Sequence, residues 1–265
     1  MNDALNHFNS KFLGQRKRCE AFELIVQSGG EKCLEEALAL NDSPFYRFWF
    51  PLLRDGKAVL MHSVPIYRRS KKFDWPSDKE QDGIWHLQRA FEKMWEGQNP
   101  IEQLSSSTPH IEQQLYSSNI IITGSTASNV IARTYFEHFK GLRYGTNYFM
   151  PDYTDIHIYD RQKRKKIYSR YAKDDFGGVS PVRDYGILTV IKNPMDDTKF
   201  LIGCMGNHGF GTLGCLETIS TSECLNALLK LIGFPLKGKG FQILVEHNIA
   251  DHEAKIIKSS LHLIS

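Results

Sequence analysis

A chain of 265 residues, 41% hydrophobic, 12% aromatic and 24% charged, can bury roughly 70% of its unfolded surface and needs no disulfide or metal to fold. Its five cysteines, Cys19, Cys33, Cys204, Cys215 and Cys224, contain no CxxC pair, which sets aside a disulfide scaffold and a zinc site and points to a reducing compartment. A net charge of +3 does not by itself argue for nucleic acid, no stretch approaches 18 consecutive apolar residues, and the first 22 residues lack a signal-peptide core, so a cytoplasmic chain with no membrane contact is expected.

Residues 3–40 carry Phe8, Phe12, Phe22, Ile25 and Val26 at helical spacing, interrupted at Gly29-Gly30 and stopped at Asn41-Asp42-Ser43-Pro44. These apolar positions need a partner surface, either another protein or a second copy of the chain. The aromatic stretch 45–53 reads as a packing element against a sheet. Residues 57–61 form a short buried strand, 66–80 a polar loop, and Ile84, Leu87, Phe91, Met94 and Trp95 one face of a helix. Residues 99–110 read as polar loop. The run 119–123 is a second strand; Gly124-Ser125-Thr126 turns into a helix with Val130, Ile131, Tyr135, Phe136 and Phe139 inward, closed at Gly141. Strict alternation over 154–160, a basic turn and the return KIYSRYA predict a β-hairpin, and 184–206 predicts another. GNHGFGT (206–212) opens a helix, a second helix follows over 222–232, and 241–247 and 254–264 read as a closing pair of strands.

Two glycine-bearing turns therefore stand between a strand and a helix, at Gly124–Asn129 and at Gly206–Thr212. Glycine lets the backbone turn sharply and approach a ligand. A helix start offers unpaired N–H groups and the positive end of the dipole, which favour phosphate or carboxylate. Ser125, Thr126, Asn129, His208, Gly209, Gly211 and Thr212 are the expected ligand-binding residues, provided that the strands are parallel neighbours with their carboxyl ends on one crevice. The same residue types also serve as ordinary helix caps. Neither turn is a P-loop or an ordered GxGxxG, which disfavours a P-loop NTPase and a conventional dinucleotide dehydrogenase.

The strand–Gly124-Ser125 pair and Gly209-Phe210-Gly211-Thr212-Leu213 resemble the SLOG superfamily, which includes lonely-guy-type nucleoside-monophosphate phosphoribohydrolases and nucleotide-sensing domains of bacterial defence systems. The resemblance implies a Rossmann-like fold, a phosphate-gripping GxGT loop and a sensor or effector role in signalling or antiviral defence. The family's catalytic glutamate, three residues after the threonine, is replaced here by Cys215, with Glu217 two residues later, and the proline before the glycines is absent. FWFPLL at 48–53, GSxxxN at 124–129, DYG at 184–186, GxGT at 209–212 and FQILV at 241–245 also resemble an uncharacterised bacterial Rossmann-like domain family.

The fold class expected is α/β: a three-layer, Rossmann-like mixed sheet with added β-hairpins over 43–265, preceded by a helical segment over 1–42. The favoured function is binding of a phosphate-bearing small molecule, a nucleotide or nucleotide-derived signal. One alternative is an N-glycosidase acting on a nucleotide or NAD, with Glu217 or Asp184 stabilising charge on the ribose. Another is a protein-interaction module without a small ligand. No metal or cofactor is expected, since the ten histidines form no HExxH or HxH pair, and Ser63 and Ser125 lack the GxSxG elbow of a serine hydrolase. Cys204 and Cys215 are expected to be buried small hydrophobes. The basic run Arg161 to Lys166 is expected to be a solubilising turn that protects a sheet edge rather than a nucleic-acid contact.

Overall fold

Ser43 and Pro44, the predicted stop, also start a helix: Pro44 sits in its first turn and the Ser43 hydroxyl accepts from Tyr46 N at 3.4 Å. This helix, α1 (Pro44–Leu52), buries Phe45, Phe48, Trp49 and Leu52. The computed structural model describes residues 43–53, 58–63, 78–94, 101–106, 111, 115–116, 118–149, 154–173, 177–233 and 240–264. The N-terminal helical segment expected over 1–42 lies outside them.

Strands β1 (Ala58–His62), β2 (Ile101–Ser105) and β3 (Asn119–Thr123) are joined by helix α2 (Asp78–Met94) and the residues before β3, and β3 leads into helix α3 (Val130–His138). Next come β4 (Tyr144–Phe149), β5 (Thr154–Asp160), β6 (Lys165–Ile167) and β7 (Arg170–Lys173), then the long pair β8 (Val179–Asn193) and β9 (Asp196–Gly206). Helices α4 (Gly209–Ser220) and α5 (Ser222–Ile232) precede β10 (Gly240–Asn248), β11 (Glu253–Ile256) and β12 (His262–Ile264).

The main sheet runs β11-β10-β8-β9-β3-β1-β2, with β12 also on β10 and β7 also on β8. It is mixed. The pairs β1–β2, β1–β3 and β3–β9 are parallel, whereas β8 is antiparallel to β9 and to β10. Alternate residues of each strand feed opposite cores, as the two-residue period of a strand requires. Leu60, Ile121, Leu188, Ile202 and Ile243 pack with α1, α2, α4 and α5 on one face. Met61, Ile122 and Met205 pack with α3 on the other, beside the second sheet β4-β5-β6, whose Tyr144 and Ile158 cover Tyr185, Ile187 and Leu244. The molecule is α/β with the mixed sheet between these layers.

Three segments differ from the sequence reading. The polar stretch read as loop holds β2, a parallel edge strand whose residues are mostly exposed or half-buried, so its composition lacks the apolar signal of an inner strand. KIYSRYA is not one hairpin arm: β6 pairs β5, while β7 leaves it and pairs β8. The closing run 254–264 breaks into β11 and β12, with a 3₁₀ turn at Lys258–Ser260 between them. No helix among the described residues is long and apolar enough to cross a membrane.

Candidate functional site

Because β1, β3 and β9 run parallel, their carboxyl ends share one edge of the sheet, where Ser63, Gly124 and Gly206 follow one another in space. From that edge α2 goes to one face and α3 to the opposite face. The helices that follow neighbouring strands β1 and β3 therefore pack on opposite faces of the sheet.

The turn after β3 is built around Gly124. Its φ of +88° suits glycine, and a Cβ there would lie 2.8 Å from the Ser63 Cβ. Asn129 is fully buried: its Oδ1 caps α3 by accepting from Ile131 N at 3.0 Å and Ala132 N at 3.1 Å. Its Nδ2 donates to Met61 O at 3.0 Å and Thr123 O at 2.9 Å, clasping the ends of β1 and β3. Four bonds use the whole capacity of that amide in the protein's own interior. Thr126 also bonds inward, its Oγ1 donating to Thr146 O at 3.3 Å and its N–H to Thr146 Oγ1 at 3.2 Å. Ser125 is half-buried; its hydroxyl accepts from Ala127 N at 3.3 Å and lies 3.4 Å from that of Ser128. Arg133 Nε donates to Thr126 O at 3.1 Å, which sets a guanidinium beside this turn.

Glu80, in the first turn of α2, reaches under the same edge. It is 2% exposed and accepts from Ser63 N at 3.1 Å, Ser63 Oγ at 2.5 Å and Thr123 Oγ1 at 2.6 Å. Sequence reasoning missed Glu80 and Arg133. An acid in a helix's first turn is a common start signal, and only the packing of α2 on β1 and β3 shows that this one is buried.

At the second turn the anion seat is already filled. Asp184, with no exposed surface, accepts from His208 N at 3.2 Å and Gly211 N at 2.6 Å, at the amino end of α4. It also accepts from Ser169 Oγ at 2.6 Å and Tyr185 N at 2.9 Å. The glycines here serve close packing: a Cβ on Gly211 would stand 2.2 Å from Tyr185 O. Gly209 and Thr212 are buried, and Thr212 N donates to His208 O at 3.4 Å. His208 keeps a half-buried imidazole with Nε2 2.7 Å from the Tyr171 hydroxyl. Burial raises the Tyr171 pKa and the nearby Asp184 charge adds to the rise, while a Ser169 hydrogen bond opposes it. Asn207 Nδ2 donates to Ile167 O at 3.0 Å, so the chain over 167–171 lies along this turn.

Glu217 belongs to neither turn. It lies in the third turn of α4, its Oε2 3.3 Å from His247 Nε2 but off the angle a hydrogen bond needs. Cys215 is fully buried against Gly186, and burial pushes its thiol pKa up. Cys204 is equally buried, so both are small core residues. The structure thus brings Ser125, Thr126 and Asn129 to one turn and His208, Gly209, Gly211 and Thr212 to another on the same edge. Only Ser125 and His208 among them have half-buried side chains. No protein-family model matches the chain, and no curated protein matches it.

Proposed function

We propose that the protein is a Rossmann-like binder of a phosphate-bearing small molecule, a nucleotide or nucleotide-derived signal, seated where β1 and β3 part. The observation that carries this reading is the strand order β2-β1-β3, with α2 leaving β1 to one face and α3 leaving β3 to the other. In open α/β sheets such a switch point opens a crevice at the carboxyl ends of the strands, and ligands bind there. Ser125 supplies a hydroxyl at this point and Arg133 a cation, the pairing a phosphate needs. His208 and Tyr171 stand further along the same edge, on the β9 side.

The GxGT turn has a structural part in this proposal, because a carboxylate of the chain itself already takes the N–H groups of His208 and Gly211. The SLOG resemblance then extends to the fold and ligand class rather than to the phosphate grip. Glycosidic cleavage is not proposed: Asp184 is enclosed by four donors, and Glu217 sits against His247.

A thermal-shift series with AMP, ATP, cyclic AMP, NAD and adenosine tests the reading. A nucleotide at about 100 times its dissociation constant stabilises the fold by about 2.7 kcal/mol. Arg133→Gln is expected to weaken that nucleotide by about 2 kcal/mol, the worth of a hydrogen bond to a charged group. If no nucleotide shifts the melt, or adenosine shifts it as far as AMP, the phosphate site is refuted.

A further inference from the structure

Residues 161–173 hold seven cations and no acid: Arg161, the consecutive Lys163 to Lys166, Arg170 and Lys173. The whole chain carries only +3, so charge is concentrated here. On sequence alone the first part of this run is a solubilising turn, and three structural observations change that.

The cations do not stop at the turn. All of 161–166 is exposed, and so are all four residues of β7, so the basic character continues along an extended chain. Lys166 is paired with Asp155 at 2.6 Å, but Lys163, Arg164, Lys165, Arg170 and Lys173 make no ion pair among the described residues. Two tyrosine rings stand in the same run, Tyr168 at 47% and Tyr171 at 50% exposure. Each is tethered by its hydroxyl, Tyr168 donating to Asp155 Oδ1 at 2.6 Å and Tyr171 lying 2.7 Å from His208 Nε2. A ring held at its hydroxyl and half-exposed is a pre-ordered surface on which a planar group can stack. Finally, Arg164 and Asp155 have φ of 50° and 58°, the left-handed region where glycine or asparagine is cheaper. The turn keeps a cation, and the tyrosine tether keeps an acid, at that conformational cost.

We propose that Arg161–Lys173 is a binding surface for single-stranded nucleic acid, its cations tracking the phosphates and Tyr168 and Tyr171 stacking on bases. The two rings select the ligand: duplex bases are already stacked on one another, whereas every unpaired base offers a free face. The sequence preference is expected to be weak, since nothing in the run is placed to read base edges.

Fluorescence anisotropy with labelled oligothymidine of about 20 nucleotides tests the proposal. With about five phosphates neutralised, affinity is expected to fall about 100-fold between about 50 and 200 mM salt. K163E/R164E/K165E is expected to lose at least about tenfold, and Tyr168→Leu about tenfold, with Tyr168→Phe, which keeps the ring but loses its tether, falling between Tyr168→Leu and the parent. Arg164→Gly separates binding from folding: relieving the left-handed strain raises the melting temperature, while losing the cation lowers affinity. The proposal is overturned if charge reversal leaves affinity unchanged, or if Tyr168→Leu has no effect and duplex binds as well as single strand. Binding to phosphatidylserine vesicles without binding to the oligonucleotide would also overturn it.

Discussion

Asp184 supplies inside the protein the negative charge that a bound anion would bring to the start of α4. With four donors converging on it and no exposed surface, removing it leaves three backbone N–H groups and a serine hydroxyl without an acceptor. Asp184→Ala is therefore expected to cost about 3 kcal/mol, read as a lower urea midpoint. Gly211→Ala, which drives a methyl to within 2.2 Å of a carbonyl oxygen, is expected to cost a similar amount by overpacking. If both variants unfold at the parent's urea concentration, the carboxylate is not what orders the turn. The glycines of this turn were visible in the sequence, but their partner was not. Asp184 lies well upstream, two residues before Gly186 in DYG, and only the pairing of Gly186 with Gly206 carries it to the helix start. Asn129 was legible in kind, since asparagine before an apolar run is an N-cap signal. That its other end clasps two strands depends on β1 and β3 being neighbours.

The β5–β6 hairpin shows how a single acid organises an element. Asp160 Oδ1 accepts from Gln162 N and Lys163 N, both at 3.1 Å, shaping the turn, and Arg143 clamps the same carboxylate at 2.8 Å. Burial alone would raise the Asp160 pKa, but the Arg143 hydrogen bonds and charge, with the two turn N–H groups, hold it below the usual value. A depressed folded pKa stabilises the protein above the unfolded value near about 4, and that stabilisation disappears as pH falls through the folded value. Asp160→Asn is thus expected to cost about 2 kcal/mol at neutral pH and to flatten the stability profile below about pH 4. Urea unfolding at several pH values checks this; parallel acid limbs for parent and variant would contradict it. Alternation over 154–160 made this strand readable, as the isoleucine run of 119–123 did for β3. The destination of β7 was not readable, because four exposed residues carry no preference for one neighbour over another.

Across the whole molecule, the second sheet is fastened to the first by a buried side chain acting as backbone. Gln242 Oε1 accepts from Tyr144 N at 2.9 Å, and its Nε2 donates to Tyr144 O at 3.1 Å and Thr189 Oγ1 at 3.0 Å. Gln242→Leu leaves the backbone N–H and C=O of Tyr144 unpaired, an expected cost of about 3 kcal/mol. Hydrogen exchange is expected to quicken over β4 to β6 before it does in the main sheet; uniform loss of protection would mean that the two layers open as one. A different consequence follows from β9, which faces β8 across a tight local turn and β3 across a long intervening stretch of chain. During synthesis the strand Asn119–Thr123 emerges well before the strand that will cover its flank. At ordinary elongation rates the isoleucines of β3 wait ~10 s beside an open edge. Nascent chains halted before Asp196 should accordingly recruit more chaperone to Asn119–Thr123 than chains halted beyond Ser220, in which β9 covers that flank. For the ribosome, β9 is the residue span at which the isoleucines of β3 stop being a hazard to neighbouring chains.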